Sequence, residues 1–416
     1  MRIVIVGAGI GGLAAALSLE AAGFRDVRIV ERAPEIRGLG VGINLLPHAV
    51  RELSELGLAD RIAAIGVAPR TLSYWNHLGQ PIWSEPRGLA AGYDWPQLSV
   101  HRGRLQRELL AAVHERLGDV VETGRRLVDV RSDARSATVM LAGGTGPDAI
   151  EADVVVAADG IHSVARRLRH PDDPGPRPSG VTLWRGTARV PPMLDGASMV
   201  MAGDADQRFV AYPIEAPDAD GLVLLNVIAE ARGEAPSRVD WNRSVPVAPV
   251  AERFAAWRFD WLDVPATIAA CDELLEYPMV DLDPVPRWSF GRMTLLGDAA
   301  HAMYPQGSNG ASQAIIDARV LAMHLAEAAD AAVALHAYED DRRPAMTGLL
   351  ERNRAGGPEQ VMRVVAERAP RGFDDVHDVI GRDELAEIAT AFKRAAGFEP
   401  EQLRARPSFS RPGAVA

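Results

Sequence analysis

The stretch Leu295-Leu296-Gly297-Asp298-Ala299-Ala300-His301, followed closely by Pro305-Gln306-Gly307-Ser308-Asn309-Gly310-Ala311, decides the reading of this chain. An apolar run ends in a glycine-acid turn, and a second glycine-rich turn opens a long helical stretch. A related element stands at the other end of the sequence, where Met1-Arg2-Ile3-Val4-Ile5-Val6 runs into Gly7-Ala8-Gly9-Ile10-Gly11-Gly12. The β-branched run at 3–6, stopped by glycine, predicts a buried parallel strand. Residues 9–22, rich in Ala and Leu and closed by Gly23, predict a helix. Residues 27–30 predict a second strand ending at Glu31, which completes a βαβ unit. Two strand–turn–helix anion sites in one domain are explained by a single long ligand held at both ends.

Bulk composition bounds the answer. The 416 residues have room for two or three domains, and 47% hydrophobic with 24% charged residues is ordinary for a soluble globular protein. A net charge of -11 argues against nucleic acid as the main partner. The longest apolar runs, 2–6 and 154–158, are strand-length, so no membrane span is expected. The first strand begins at once, leaving no room for a signal peptide, and a cytoplasmic protein is expected. Cys271 is the one cysteine, which excludes an internal disulfide and a thiol-rich metal site; no metal is expected.

Outward from the two turns, helices are predicted at 48–56 and 104–117, and strands around 123–155. Residues 171–178 hold four prolines and read as a linker. From 181 to 290 strand-like runs (181–187, 208–213, 222–228) alternate with polar turns. Trp184, Trp241, Trp257, Trp261 and Trp288 gather there, suggesting an apolar lid for a flat substrate. The expected organisation is a nucleotide-binding domain at 1–175, with a small β/α excursion at 70–100, and an inserted, mostly antiparallel β domain at 176–290. The first domain then returns at 291–345, and a helical tail spans 346–416 with a frayed Pro-rich end at 406–416.

The first turn has the form of a dinucleotide fingerprint. Gly7 allows the bend, Gly9 lets backbone amides approach a pyrophosphate, and Gly12 lets the helix pack on its strand. Glu31, nineteen residues beyond Gly12, stands where a carboxylate accepts from a ribose diol. This pattern identifies an ADP moiety, shared by NAD, NADP and FAD. The second turn suits the far end of FAD: Asp298 can accept from ribityl hydroxyls. The amides of Asn309, Gly310 and Ala311 open a helix whose positive end favours negative charge on the flavin pyrimidine edge. Residues 153–160 form a third strand–acid–glycine element ending in Asp159-Gly160, and Arg102 can neutralise a phosphate. Each has a plainer reading: a turn or cap carboxylate for Asp298, a simple turn for Asp159-Gly160, a surface ion pair for Arg102. His301 reads as a packing or hydrogen-bonding residue. Tyr304 and Tyr212 are candidate pocket walls.

Taken together, Gly7/Gly9/Gly12, Asp159-Gly160 and Gly297-Asp298 match, in order and spacing, the three motifs of the group A FAD-dependent aromatic monooxygenases, and the chain resembles that family. Segments 39–44, 83–88, 101–103, 184–186, 211–214, 277–281 and 307–315 resemble its phenazine hydroxylases; the likeness spans about 1–345 and is poor at 230–270 and in the C-terminal 70 residues. The resemblance implies an α/β fold: a Rossmann-like FAD-binding domain of the glutathione reductase and p-hydroxybenzoate hydroxylase type, an inserted antiparallel substrate domain and a C-terminal helical segment. It assigns the pyrophosphate to Gly9, Ile10, Gly11 and Gly12 and the adenosine ribose to Glu31. Arg32 would contact the adenosine or help seat NAD(P)H, and Gly42 and Val128 would also line the cofactor. Arg102 falls on the pyrophosphate or ribityl side, Asp298 on the ribityl chain, and Asp159 and Gly160 on both FAD and NAD(P)H. Pro305, Gly307, Asn309, Gly310 and Ala311 would cover the pyrimidine edge. Trp184, Arg185, Tyr212 and Tyr304 are the substrate-pocket candidates, with Arg185 facing a substrate carboxylate; no catalytic base is identified.

The implied activity uses FAD, NADH or NADPH, and O2. A flavin C4a-hydroperoxide would hydroxylate a small aromatic of the phenazine-carboxylate kind, with loss of CO2 where a carboxylate adjoins the attacked carbon. Whether the protein is a monomer or a homodimer stays open. Rival readings on the same scaffold are a salicylate-type or polyketide hydroxylase, a prenyl reductase or a halogenase; the Trp-x-Trp-x-Ile signature of the last is absent from the sequence. A non-catalytic FAD-binding module is the reading from another class, and the Pro305–Ala311 turn argues against it.

Overall fold

Three glycine-terminated strands lie side by side in the computed structural model, which describes residues 1–38, 40–133, 135–233 and 243–410. Ile3–Val6 pairs in parallel with Val27–Val30 on one side and with Val154–Ala157 on the other. Val154–Ala157 pairs in parallel with Met293–Leu295. Val121–Glu122 and Ser289–Phe290 complete a six-stranded sheet in which only the last strand runs antiparallel. Ile3–Val6, Val154–Ala157 and Met293–Leu295 are buried at every position, as parallel strands covered on both faces must be. Because Val6, Ala157 and Leu295 are in register, the three turns that follow emerge at one edge. Helices Ile10–Ala21 and Gly310–Glu327 pack on each other there.

The second layer is an eight-stranded sheet. Its order is Arg243–Val245, Leu274–Asp281, Arg177–Val190, Val223–Arg232, Gln207–Pro213, Ser198–Gly203, Thr71–Trp75 and Pro81–Pro86. All neighbours are antiparallel except Ser198–Gly203 beside Thr71–Trp75. The expected excursion at 70–100 is therefore corrected: its strands belong to the substrate sheet, since Leu72, Tyr74 and Ile82 join that sheet's core with Met199 and Met201. Period-two alternation separates the two faces. Leu183, Tyr212, Tyr277 and Met279 lie on the inner face, toward Tyr304 and the C-terminal helices. Trp184, Ala211, Phe209 and Trp257 lie on the outer one.

Three boundaries also differ. The Pro-rich segment 171–178 does not remain a linker throughout, because Arg177–Val190 starts within it. The edge at 345 falls inside helix Ala331–Arg354, which accommodates Pro344. The tail is docked rather than frayed up to 410: Arg51 donates to the Leu403 and Arg406 carbonyls at 2.8 Å each, Arg406 pairs with Glu52, and Ser408 Oγ donates to Glu55 at 2.6 Å. Residues 411–416, Trp241 and Leu39 lie outside the described residues. Among those described, no helix is long and apolar enough to cross a membrane, and no His, Cys, Asp and Glu group could hold a metal ion.

Candidate active site

The first turn is built by exclusion. Gly12 lies so close to the Gly7 carbonyl that any Cβ there would collide with it, whereas a Cβ on Gly9 would meet nothing within 4 Å. The open side of Gly9 leaves the uncapped start of helix Ile10–Ala21 facing space rather than protein. Its N–H groups are thus available to an anion. Ile10 is half-buried against the core beneath. Glu31, at the end of the adjacent strand, accepts from the Ala8 and Ala33 N–H groups, each at 2.9 Å. Those bonds fix the carboxylate, and its remaining lone pairs can accept from a diol. Arg32 is exposed, and Val128 is 45% exposed on strand Arg126–Ser132.

The second turn adjoins the first. A Cβ on Gly11 would stand 3.0 Å from Leu296 and 3.4 Å from Ala314, and one on Gly297 would stand 3.1 Å from Ala314. Gly297 holds φ +61, a conformation costly for any residue with a Cβ. The turn it makes presents Asp298 to an open recess. That carboxylate has exposed surface yet is crowded by protein, so desolvation raises its pKa against the charges of His301 and Arg102, which lower it. Arg102 lies at the opposite wall, where a Cβ on Gly40 would stand 2.7 Å from its Nε. Burial and the charge of Arg185 lower its pKa, while Tyr277 and Asp298 raise it. The first turn packs against the second, and Asp298 and Arg102 are near enough for each charge to act on the other, so these groups bound one candidate cleft.

Asp159 fills the edge between the two turns. Its Oδ2 accepts from Val164 and Ala165 N–H at 2.7 and 3.3 Å, and its buried Oδ1 has no partner among the described residues. Desolvation raises its pKa. Gly160 beyond it is open on the side a Cβ would occupy. Past the second turn, Pro305 is exposed, and Gly307 and Ser308 are consecutive left-handed residues, φ +67 and +56. Ser308 is strained there, since it is not glycine. Asn309 is buried and leaves the start of helix Gly310–Glu327 uncapped, with the Gly310 and Ala311 amides leading it.

The residues fit FAD. An open glycine at a helix N-terminus, an unpartnered Asp159 oxygen and an accessible Asp298 are the groups that a pyrophosphate and a hydroxylated chain would engage.

A network that the sequence reading missed fixes the second turn. Asp317 is fully buried, and its Oδ2 meets His301 Nε2 at 2.6 Å and Gly297 N–H at 3.1 Å. Its Oδ1 accepts from Arg342 Nε at 2.7 Å, and Arg342 also donates to Gln313 Oε1 at 2.6 Å. Gln313 in turn donates to Asn309 Oδ1 at 3.3 Å. Although desolvation opposes it, the charges of His301 and Arg342 bring Asp317 down to about 2. His301 is therefore a strut, as its position in sequence suggested. The available signal was two polar residues, Gln313 and Asp317, at i,i+4 spacing in an apolar helix.

The substrate candidates separate. Trp184 lies on the outer face of the sheet, donating to Glu276 at 2.8 Å beneath Arg253, and so does not line the cleft. Trp257 and Trp261 lie on that same face, and Trp288 packs against His301 in the first domain; these tryptophans form no lid. Arg185 Nη2 donates to the Gly42 carbonyl at 2.6 Å and the side chain bonds Tyr212, while its buried Nε has no partner among the described residues. Gly42 N–H donates to Asn226 Oδ1 at 2.7 Å, so both backbone groups of that one residue tie the two layers together. Burial pushes Tyr212 up to about 12. Tyr212 and Tyr304 share the inner face.

Comparison with known proteins gives the family. The sequence profile of the family described as FAD binding domain matches residues 1–261 and 269–353. A phenazine 1,6-dicarboxylic acid hydroxylase from Lysobacter antibioticus is 47% identical over 361 residues, covering 85% of this chain and 89% of the relative. A 3-amino-4-hydroxybenzoate 2-monooxygenase from Streptomyces platensis is 34% identical, covering 86% and 88%. Among solved structures, HpxO of Klebsiella pneumoniae complexed with FAD and uric acid superposes with a TM-score of 0.73 at 25% identity, covering 97% of this chain and 94% of that one.

Proposed function

This chain belongs to the FAD binding domain family and is a flavoprotein aromatic monooxygenase, and from that premise we propose that it hydroxylates a carboxylated phenazine or a similar flat aromatic acid. The observation that carries the reading is the single edge of the parallel sheet. There the Gly7–Gly12, Asp159-Gly160 and Gly297-Asp298 turns stand on adjacent strands, the switch-point position at which open α/β sheets take their ligands. Adjacent strands are about 4.8 Å apart, so the outer two turns lie roughly 10 Å from each other, within the reach of one dinucleotide.

When bound, FAD supplies the reduction by NAD(P)H and the activation of O2. The protein's own part is placement and dryness. The first turn and Glu31 hold the adenosine end, Arg102 offsets phosphate charge, and Asp298 accepts from the chain that joins the two ends. The uncapped amides of Asn309 to Ala311 stabilise negative charge on the pyrimidine edge. Asp317 and Arg342 keep both turns of the flavin end in place, and the inner face of the eight-stranded sheet excludes water. The likeness to the phenazine 1,6-dicarboxylic acid hydroxylase over 85% of the chain supports the substrate class. Loss of CO2 follows where the attacked carbon carries the carboxylate. A cytoplasmic setting, with access to NAD(P)H, suits this chemistry.

The test is direct. Purified protein should be yellow, NAD(P)H oxidation should accelerate severalfold with phenazine-1,6-dicarboxylate, and product mass should report oxygen insertion. A colourless preparation that cannot be reconstituted with FAD removes the mechanism; oxidation stimulated only by other aromatics removes the substrate class.

A further inference from the structure

Strand Gly42–Leu45 belongs to the first domain, where it pairs with Leu98–His101, and it borders the candidate cleft at both ends. Before it, Gly40 packs against Arg102. Toward its end, Asn44 Nδ2 lies 3.5 Å from Ser308 Oγ, and the Leu46 N–H just beyond donates to Ser312 Oγ at 3.1 Å. The strand therefore also meets the turn that leads into Asn309–Ala311. Gly42 is where the eight-stranded sheet takes hold of it. The Gly42 carbonyl accepts from Arg185 Nη2 at 2.6 Å, and its N–H donates to Asn226 Oδ1 at 2.7 Å. Asn226 is fully buried and stands opposite Tyr212 in register, and Tyr212 bonds Arg185. Three neighbouring strands of the sheet thus converge on one residue of the other layer. The approach is close because Gly42 has no side chain: a Cβ there would stand 2.6 Å from Asn226 Cβ and 2.8 Å from its Cγ. Its φ lies outside the left-handed region, so this glycine answers to space and not to backbone strain.

We propose that Arg185 and Asn226 are positioning residues for the monooxygenase reaction: by holding the backbone of Gly42 they set the gap between the candidate cleft and the inner face of the substrate sheet. The proposal rests on the monooxygenase reading above and deepens it by naming what keeps the aromatic ring within reach of the activated oxygen. In productive turnover the two electrons of NAD(P)H send one atom of O2 to the ring and the other to water. When the ring stands too far off, or water enters the gap, the same two electrons and two protons leave with O2 as H2O2. Placement errors of about 1 Å can cost on the order of 100-fold in a reaction that depends on contact between the partners. The clip acts at such a junction, because it joins the layer that carries Tyr212 to the strand that borders Arg102 and Ser308. It works through Gly42 and needs no contact of its own with the ring.

Arg185→Met, which keeps much of the bulk and removes the donors, is compared with Arg185→Lys, whose ammonium still reaches a carbonyl. Three quantities are read on the FAD-loaded proteins: FAD affinity by equilibrium dialysis, binding of phenazine-1,6-dicarboxylate and of unsubstituted phenazine by the change in flavin absorbance, and hydroxylated product per NAD(P)H consumed. Arg185→Met should keep its FAD and bind both phenazines, while product per NAD(P)H falls about fivefold and H2O2 makes up the difference. Arg185→Lys should recover most of the yield. Asn226→Leu, which removes the acceptor of the Gly42 N–H, should also divert turnover to H2O2, and so should Gly42→Ala, which pushes the layers apart instead of releasing them. The proposal is overturned if Arg185→Met keeps the wild-type yield. It is equally overturned if that variant loses the dicarboxylate alone at unchanged yield, which would make Arg185 a contact for the ligand's carboxylate. Should Arg185→Met not fold, Gly42→Ala decides, and a wild-type yield from it overturns the proposal. A wild-type protein that holds no FAD, or forms no oxygenated product, overturns the underlying reading instead.

Discussion

Replacing Asp317 with alanine removes one buried carboxylate and three contacts at once: His301 at 2.6 Å, Arg342 at 2.7 Å and the Gly297 N–H at 3.1 Å. What remains is a half-buried guanidinium that keeps only Gln313 as its acceptor, and a buried imidazole and a backbone donor that lose theirs. Breaking a buried ion pair from one side costs about 3–5 kcal/mol, because the surviving charge stays desolvated. The carboxyl's own pKa points to a similar size. It falls from an ordinary 3.8 to about 2 in the fold, and each pH unit is worth about 1.4 kcal/mol, so the ionised form contributes roughly 2 kcal/mol. The sign follows from a depressed carboxyl: the stabilisation is full above pH 3.8 and is lost as pH falls toward 2. Urea unfolding at pH 7, followed by tryptophan fluorescence, should show Asp317→Ala destabilised by about 3–5 kcal/mol, and Asp317→Asn by less because the amide still accepts one bond. Both should also lose FAD on gel filtration, since the Gly297 bend is no longer held. An Asp317→Ala protein within about 1 kcal/mol of wild type and fully loaded with FAD would refute the strut.

Three further outcomes are expected. Asp298→Ala should fold normally and weaken FAD retention; unchanged flavin affinity by equilibrium dialysis would show that the ribityl chain runs elsewhere. Gly9→Ala and Gly12→Ala should diverge, the first giving folded protein with impaired FAD binding because its Cβ has space but blocks approach of the pyrophosphate. The second should fail to fold because its Cβ would strike the Gly7 carbonyl; circular dichroism and flavin absorbance separate the two, and matching behaviour would contradict the geometry. Glu359 accepts from Arg208 Nη1 at 3.1 Å, and burial raises its pKa from 4.5 to about 7 even against that charge. Its raised value favours the protonated form in the fold, so stability is full below pH 4.5 and about 3 kcal/mol of it is lost as pH rises through 7. Glu359→Gln should flatten the change in urea midpoint between pH 5 and 8, and parallel profiles for the two proteins would show that Glu359 does not titrate there.

Much of the first domain was legible because its signals are local. A β-branched run stopped by glycine, a helix with an uncapped glycine start and a carboxylate at the next strand end are each fixed within a few residues, and Ile3–Val6, Ile10–Ala21 and Val27–Val30 follow them nearly to the residue. Period two marked the strands of the second layer but not which face meets the site. Trp184 and Arg185 are adjacent in sequence and project to opposite sides, one onto the outer core and one toward Gly42. The destination of Thr71–Trp75 was hidden for a related reason: a two-stranded excursion looks the same whether it stays with its own domain or docks beside Ser198–Gly203. Asp317 and Arg342 were invisible as site residues because each acts across a long stretch of chain.

The borrowed strands have a consequence for anyone who would transplant specificity between such enzymes. Excising 177–290 as a cassette would strip Thr71–Trp75 of Ser198–Gly203, the strand it pairs with on the side away from Pro81–Pro86, leaving a raw edge on the recipient and a truncated floor on the graft. A workable exchange must move three threads of the chain together: the early hairpin, the long insertion and the late helix Arg382–Ala395, whose Lys393 pairs with Glu85 of that hairpin. Natural divergence faces the same coupling, so changes in the late helix and the early hairpin should be traded in pairs.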